Sequence, residues 1–140
     1  MVPLVEHIMS REPALITPDE PLRHAVEVMR ERACRRLPVV ENGKLVGIIS
    51  DRDVRRATNS PFIVRERILD ERILDEVTVR ACMSSRPITV TPRTPIVDAA
   101  KLMRDRKIGG LPVVDKEMLV GIVTETDLLN YLIRLLEGQV

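Results

Sequence analysis

The segment Gly47-Ile48-Ile49-Ser50-Asp51-Arg52-Asp53 recurs as Gly121-Ile122-Val123-Thr124-Glu125-Thr126-Asp127, position 121 against position 47, and the same shift of 74 residues aligns much of the remaining chain without a gap. It pairs Met9 with Met83, Pro13 with Pro87, Thr17-Pro18 with Thr91-Pro92, Pro21 with Pro95, Ala25 with Ala99, and Met29 with Met103. It also pairs Leu37-Pro38-Val39-Val40 with Leu111-Pro112-Val113-Val114. A duplication of this kind constrains the fold more than any single motif, because the chain must build one supersecondary unit twice. The organisation predicted is repeat one over residues 1–57, a linker over 58–78 and repeat two over 79–140. Neither repeat is long enough for a secure core alone, so the two are expected to pack together about a pseudo-two-fold axis.

Each repeat reads as β-α-β-β-α, an α/β (α+β) chain. Leu15-Ile16-Thr17 and Ile88-Thr89-Val90-Thr91 are predicted strands ended by Thr-Pro. Pro21 and Pro95 fit the first helical position, where a missing N–H costs nothing. Leu22, Ala25, Val26, Met29 and Ala33 follow helical spacing, as do Ile96, Ala99, Ala100 and Met103. Two β-rich runs follow, Leu37 to Val40 and Leu45 to Ser50, around Asn42-Gly43, a strong hairpin signal. Repeat two has Asp115-Lys116-Glu117-Met118 there, which predicts a turn of another type. A last helix begins at each acidic cluster. In repeat two that helix, Leu128 to Leu136, is apolar nearly all round and is expected to pack into the neighbouring repeat or a second subunit. In the linker, Leu69, Ile73 and Val77 define a short amphipathic helix with solvated charges.

Charge and composition narrow the function classes. Net charge is +1 with scattered basic residues, which argues against a general binder of nucleic acid or membrane surfaces. No apolar run approaches a membrane span, and the opening MVPLVEHIM lacks a signal-peptide pattern, so the expected location is cytoplasmic. Cys34 and Cys82 make no disulfide framework and show no metal-ligand spacing. There is no Walker loop, zinc spacing or nucleophile-base pair, so no enzyme activity, catalytic cofactor or metal is expected.

Ser50-x-x-Asp53 and Thr124-x-x-Asp127 each fit a helix capping box. Three features favour a binding site as well: aspartate in both copies where glutamate would reach back more easily, a glycine on each preceding strand, and a strand-to-helix junction with free backbone N–H groups suited to phosphate. A short aspartate there can accept hydrogen bonds from the adjacent hydroxyls of a ribose, and Arg52 can meet a phosphate.

Together with Ile8-Met9-Ser10 and Cys82-Met83-Ser84, the ITP and VTP after the first strands and the LPVV strands, this motif resembles a tandem pair of CBS domains, the cystathionine-β-synthase-type regulatory module. The resemblance covers all but the linker and termini. It implies a stand-alone binding module holding AMP, ADP, ATP, S-adenosylmethionine or an NAD-type molecule in clefts between the repeats, working as a homodimer on an unknown effector protein. By position, it implies that Asp53 and Asp127 bind ribose hydroxyls and that Ser50 and Thr124 bind phosphate or ribose oxygens. It further implies that Thr17 and Thr91, with the backbone around Pro38 and Pro112, line the adenine pocket, and that Arg52 contacts phosphate, helped by Arg35 or Arg36.

The two sites differ in charge. Thr126 replaces Arg52 and Gly109-Gly110 replaces Arg35-Arg36, so the second cleft is expected to take a less charged adenosine compound, to bind weakly or to stay empty. Phe62 and Tyr131 are the only aromatics, so adenine must be held by aliphatic walls and backbone groups. His7 aligns with Ala81 and His24 with Asp98, which places neither histidine in the shared site. Cys34, Cys82 and the shared methionines read as buried apolar filler. The rival reading is a nucleic-acid-binding or purely structural dimerisation module, with Arg52, Arg55 and Arg56 near Arg35 and Arg36 as a basic patch.

Overall fold

A computed structural model of the chain describes residues 2–58 and 67–139, with side chains from residue 71 in the second stretch. Phe62 and the side chain of Leu69 lie outside the described residues. Its contacts form two compact units that cut across the repeats: Ala14–Pro87 is one, and Met1–Pro13 joins Ile88–Val140 in the other. Helices and strands mix in both, as the sequence predicts.

In the Ala14–Pro87 unit, helix α1 (Leu22–Glu31) precedes an antiparallel hairpin of β1 (Arg36–Glu41) and β2 (Lys44–Ser50), and α2 (Asp51–Thr58) follows at once. Leu22, Ala25 and Met29 of α1 are buried with Leu37, Val39, Ile49 and Val79. Helix α3 (Arg67–Glu76) and the short α4 (Val79–Cys82) complete this core. Ile73 and Val77 pack against it, as their spacing predicts, and the α3 charges are partly paired: Arg23 meets both Glu71 and Asp75.

The other unit repeats this plan with α5 (Ile96–Arg106), β3 (Gly110–Asp115), β4 (Met118–Thr124) and α6 (Glu125–Leu136). The role of α4 is taken by a single 3-10 turn, Val5–His7. Val5 and Met9 sit in the same cluster as Val90, Met103, Leu111 and Val123. The opening segment of each repeat is thereby built into the core of the other repeat's hairpin. Three equivalent hydrogen bonds fix it: Val79, Arg80 and Leu22 N–H donate to Glu20, Pro18 and Val77 carbonyls in one unit. Val5, Glu6 and Ile96 N–H donate to Thr94, Pro92 and Pro3 carbonyls in the other.

Five expectations need correction. The predicted first strands shrink to single parallel bridges, Ile16 to Val39 and Val90 to Val113, because a Thr-Pro turn follows each at once. Pro21 and Pro95 are N-caps with extended backbone, one position before the helix. Ala33 leaves the apolar stripe: α1 has ended, and Ala33 takes φ 51°, the left-handed conformation that closes a helix. The second hairpin does not use another turn type. Lys116 (φ 52°) and Glu117 (φ 71°) copy Asn42 (φ 55°) and Gly43 (φ 79°), because Asp115 pairs with Met118 as Glu41 pairs with Lys44. Strand twist demands two left-handed residues in a two-residue loop, and the register overrides local preference. Finally, α6 buries none of its residues: Leu129 is 58% exposed and Leu136 77%, so among the described residues nothing of the neighbouring repeat covers that face, and of the two expected coverings only a second subunit remains. Among the described residues no helix is long and apolar enough to cross a membrane.

Candidate functional site

Each strand-to-helix junction is organised by one carboxylate. Ser50 N–H donates to Asp53 Oδ2 at 2.8 Å, the Ser50 hydroxyl donates to the same oxygen at 3.1 Å, and Asp53 N–H donates back to Ser50 Oγ at 3.3 Å. In the second repeat Thr124 and Asp127 repeat the arrangement at 2.8, 3.1 and 3.4 Å. The capping box is therefore formed in both copies, and aspartate reaches back as far as it requires. Both aspartates are half-buried, and the two bonds each carboxylate accepts fall on Oδ2; Oδ1 of each carries no hydrogen bond among the described residues.

The glycines have a structural reason of their own. A methyl group on Gly47 would lie 2.6 Å from Met83 Sδ and 2.8 Å from the Ser84 carbonyl oxygen. On Gly121 it would lie 2.6 Å from the Ser10 carbonyl oxygen. Ser84 bridges Ile48 and Ser10 bridges Ile122 with reciprocal backbone bonds, so it is the docked Met-Ser segment that requires glycine. The glycines thus no longer count as a ligand signal.

Register brings several expected residues to each junction. Arg36 pairs across the hairpin with Ser50, and Asp51 N–H donates to the Arg35 carbonyl; Gly110 pairs with Thr124, and Glu125 N–H donates to the Gly109 carbonyl. Arg52 is exposed at the start of α2, while Arg55 is engaged by Asp51 at 3.1 Å, which withdraws one cation from a basic patch. Thr17 and Thr91 open the Thr-Pro turns and are exposed, their N–H groups held by Glu20 Oε2 and Thr94 Oγ1. Pro38 and Pro112 are buried, and their carbonyls accept from Ile16 and Val90.

A cleft of about 430 Å³ lies within the second unit, lined by His7, Met9, Asp127, Asn130 and Arg134 among others. Of its polar residues, the repeated motif points only to Asp127. Asn130 and Arg134 stand three and seven positions after it, one face of a helix, and that spacing was the available signal. The pairing of His7 with Ala81 of repeat two points away from it; its place in the cleft depends on the crossed docking of the opening segment.

The cysteines are half-buried beside the first core. Burial raises the Cys82 thiol above its ordinary value, and the charge of Asp53 adds to the effect. Burial likewise raises Cys34, against a backbone hydrogen bond from Arg36.

Comparison with known proteins follows the same residues. The CBS domain family model matches twice, at residues 5–60 and 79–134. A CBS domain-containing protein of Dictyostelium discoideum is 44% identical over 138 residues, covering 96% of this chain and 94% of its own. The crystal structure of the CBS domain pair of MJ0100, in complex with 5′-methylthioadenosine and S-adenosyl-L-methionine, is 29% identical with a TM-score of 0.77 and covers 100% of both chains. That of CBSX2 in complex with AMP is 25% identical with a TM-score of 0.80, over 95% of this chain and 98% of that one. With the duplicated motif, the paired hairpin-helix units and the two family matches all falling on one register, the chain belongs to the CBS-domain family as a tandem pair.

Proposed function

We propose that this chain is a cytoplasmic, non-catalytic regulatory module that binds an adenosine derivative (AMP, ADP, ATP, S-adenosylmethionine or an NAD-type molecule) and relays its occupancy to an effector protein. The observation that carries the reading is the spare oxygen on Asp53 and on Asp127. A carboxylate is a pure acceptor with about four lone-pair positions. Oδ2 is spent on the capping box, and Oδ1 is left to take the two hydroxyl donors of a ribose diol. Ser50 and Thr124 supply hydroxyls beside it. Thr17 and Thr91, with the strands around Pro38 and Pro112, form the adenine side, and Arg52, with Arg35 and Arg36, meets phosphate in the first site. The adenosine compounds bound by MJ0100 and CBSX2 support the ligand class.

The open apolar row of α6, Leu129, Leu132, Leu135 and Leu136, supports a homodimer, since a monomer gains nothing by exposing it. Ligand occupancy shifts the effector only by its differential affinity for two states, typically about 1–3 kcal/mol. Melting curves with the five compounds test the binding: at 100-fold saturation the right ligand stabilises the chain by about 2.7 kcal/mol. No shift with any of them overturns the proposal.

A further inference from the structure

The lining of the second unit's cleft carries an inference about the charge of its occupant, one that rests on the reading of Asp127 as the diol residue. Asp127, Asn130 and Arg134 follow one another along a single face of α6, and all three line the cleft together with His7. Arg134 makes no ion pair or side-chain hydrogen bond among the described residues, a state it shares with exposed arginines such as Arg52 and Arg93; what sets it apart is its place in the lining of the cleft. Its guanidinium is permanently charged and presents five donors, the geometry that suits a phosphate. It is not neutralised by Asp127, which stands two helical turns, about 10 Å, before it along the axis.

His7 adds a second donor with a defined tautomer. Its Nδ1 accepts the Leu4 N–H at 3.0 Å, so the neutral ring carries its proton on Nε2. The cleft thus holds one acceptor carboxylate at one end of the α6 face and, further along, a free guanidinium with an imidazole N–H and the Asn130 amide. An uncharged adenosine compound would occupy the first and leave the rest unanswered.

We propose that this cleft takes the phosphate of an adenosine nucleotide, with Arg134 as its anion contact and His7 Nε2–H as a second donor. Repeat two is then a site for a charged nucleotide, even though it lacks the three arginines of repeat one. Its cation, Arg134, comes from α6, and its second donor, His7, from the opening segment of the other repeat.

The test uses the full chain carrying Asp53→Ala, which leaves only the second aspartate, titrated by calorimetry with adenosine and with AMP. AMP is expected to bind at least about tenfold more tightly than adenosine, the scale of a charge-assisted contact. Arg134→Gln should bring the two affinities within about twofold while leaving adenosine binding unchanged, and Arg134→Lys should restore part of the preference. Arg104→Gln, at an exposed arginine on α5, should leave the preference intact. A preference unchanged by Arg134→Gln, in a chain whose adenosine binding still needs Asp127, overturns this inference alone. Failure to bind either compound overturns the reading of Asp127 and this inference with it.

Discussion

Replacing Gly121 by alanine puts a methyl carbon 2.6 Å from the Ser10 carbonyl oxygen and 3.0 Å from Met9 Sδ. The methionine can swing aside, but the carbonyl cannot, because Ser10 and Ile122 exchange two backbone hydrogen bonds of 2.9 and 3.0 Å. Making room means sliding the opening segment off β4. The two bonds are worth about 1 kcal/mol each, and strained repacking around Met9 costs about 1 kcal/mol more, so Gly121→Ala should destabilise by about 3 kcal/mol. For a chain of this size that is a fall in Tm of about 10 °C. Differential scanning calorimetry of the ligand-free chain measures it, and binding of the best adenosine compound well below the new Tm should be nearly intact. A variant that melts like the parent but no longer binds would refute the reasoning, since the glycine would then be making room for a ligand. Gly47→Ala should behave alike, with Ser84 as the obstacle.

Relieving the second hairpin has the opposite sign: Lys116→Asn with Glu117→Gly should stabilise by about 1 kcal/mol in urea denaturation, and a loss of stability would contradict the shared turn type. A fragment of residues 79–140 lacks Val5 and Met9 from its own core and should show no cooperative melting transition; a sharp one would contradict the crossed docking. The Asp75 carboxyl is held below its ordinary value chiefly by the hydrogen bond from Arg23, so it stabilises the fold above the ordinary carboxylate pKa, and that stability is lost as pH falls through its folded pKa. Arg23→Gln should therefore flatten the acid limb of stability against pH, and an unchanged limb would count against the pairing. Because burial raises both thiols, native Cys34 and Cys82 should react with iodoacetamide at pH 8 more slowly than a free cysteine; equal rates would contradict their half-buried placement.

Much of this architecture is written in local pattern. The α1 and α5 stripes, the hairpin around Asn42-Gly43 and the helices starting at Asp51 and Glu125 all follow from periodicity and turn chemistry. The Lys116-Glu117 turn is not legible in the sequence because its residue types resist positive φ; only the strand register, a non-local constraint, forces them into it. The crossed docking of Val5 and Val79 leaves no mark on hydrophobic periodicity, since an apolar residue looks the same whichever core receives it. That omission then propagated to the site. The glycines, which in the sequence count toward a binding site, make room for the carbonyls of Ser10 and Ser84. Comparing the repeats with each other isolates what they share, Asp53 and Asp127, and by construction discards what only one possesses, such as His7 and Arg134.

The central claim is that one carboxylate in each repeat grips an adenosine ribose while also capping its helix. Calorimetric titration of the parent chain, Asp53→Ala, Asp127→Ala and the double variant with the compound that most raises Tm tests this directly. The account predicts that each single substitution weakens its own site by about 1.5–3 kcal/mol and that the double variant loses both, at a stability cost of about 1 kcal/mol per lost cap. A double variant that binds like the parent would contradict it.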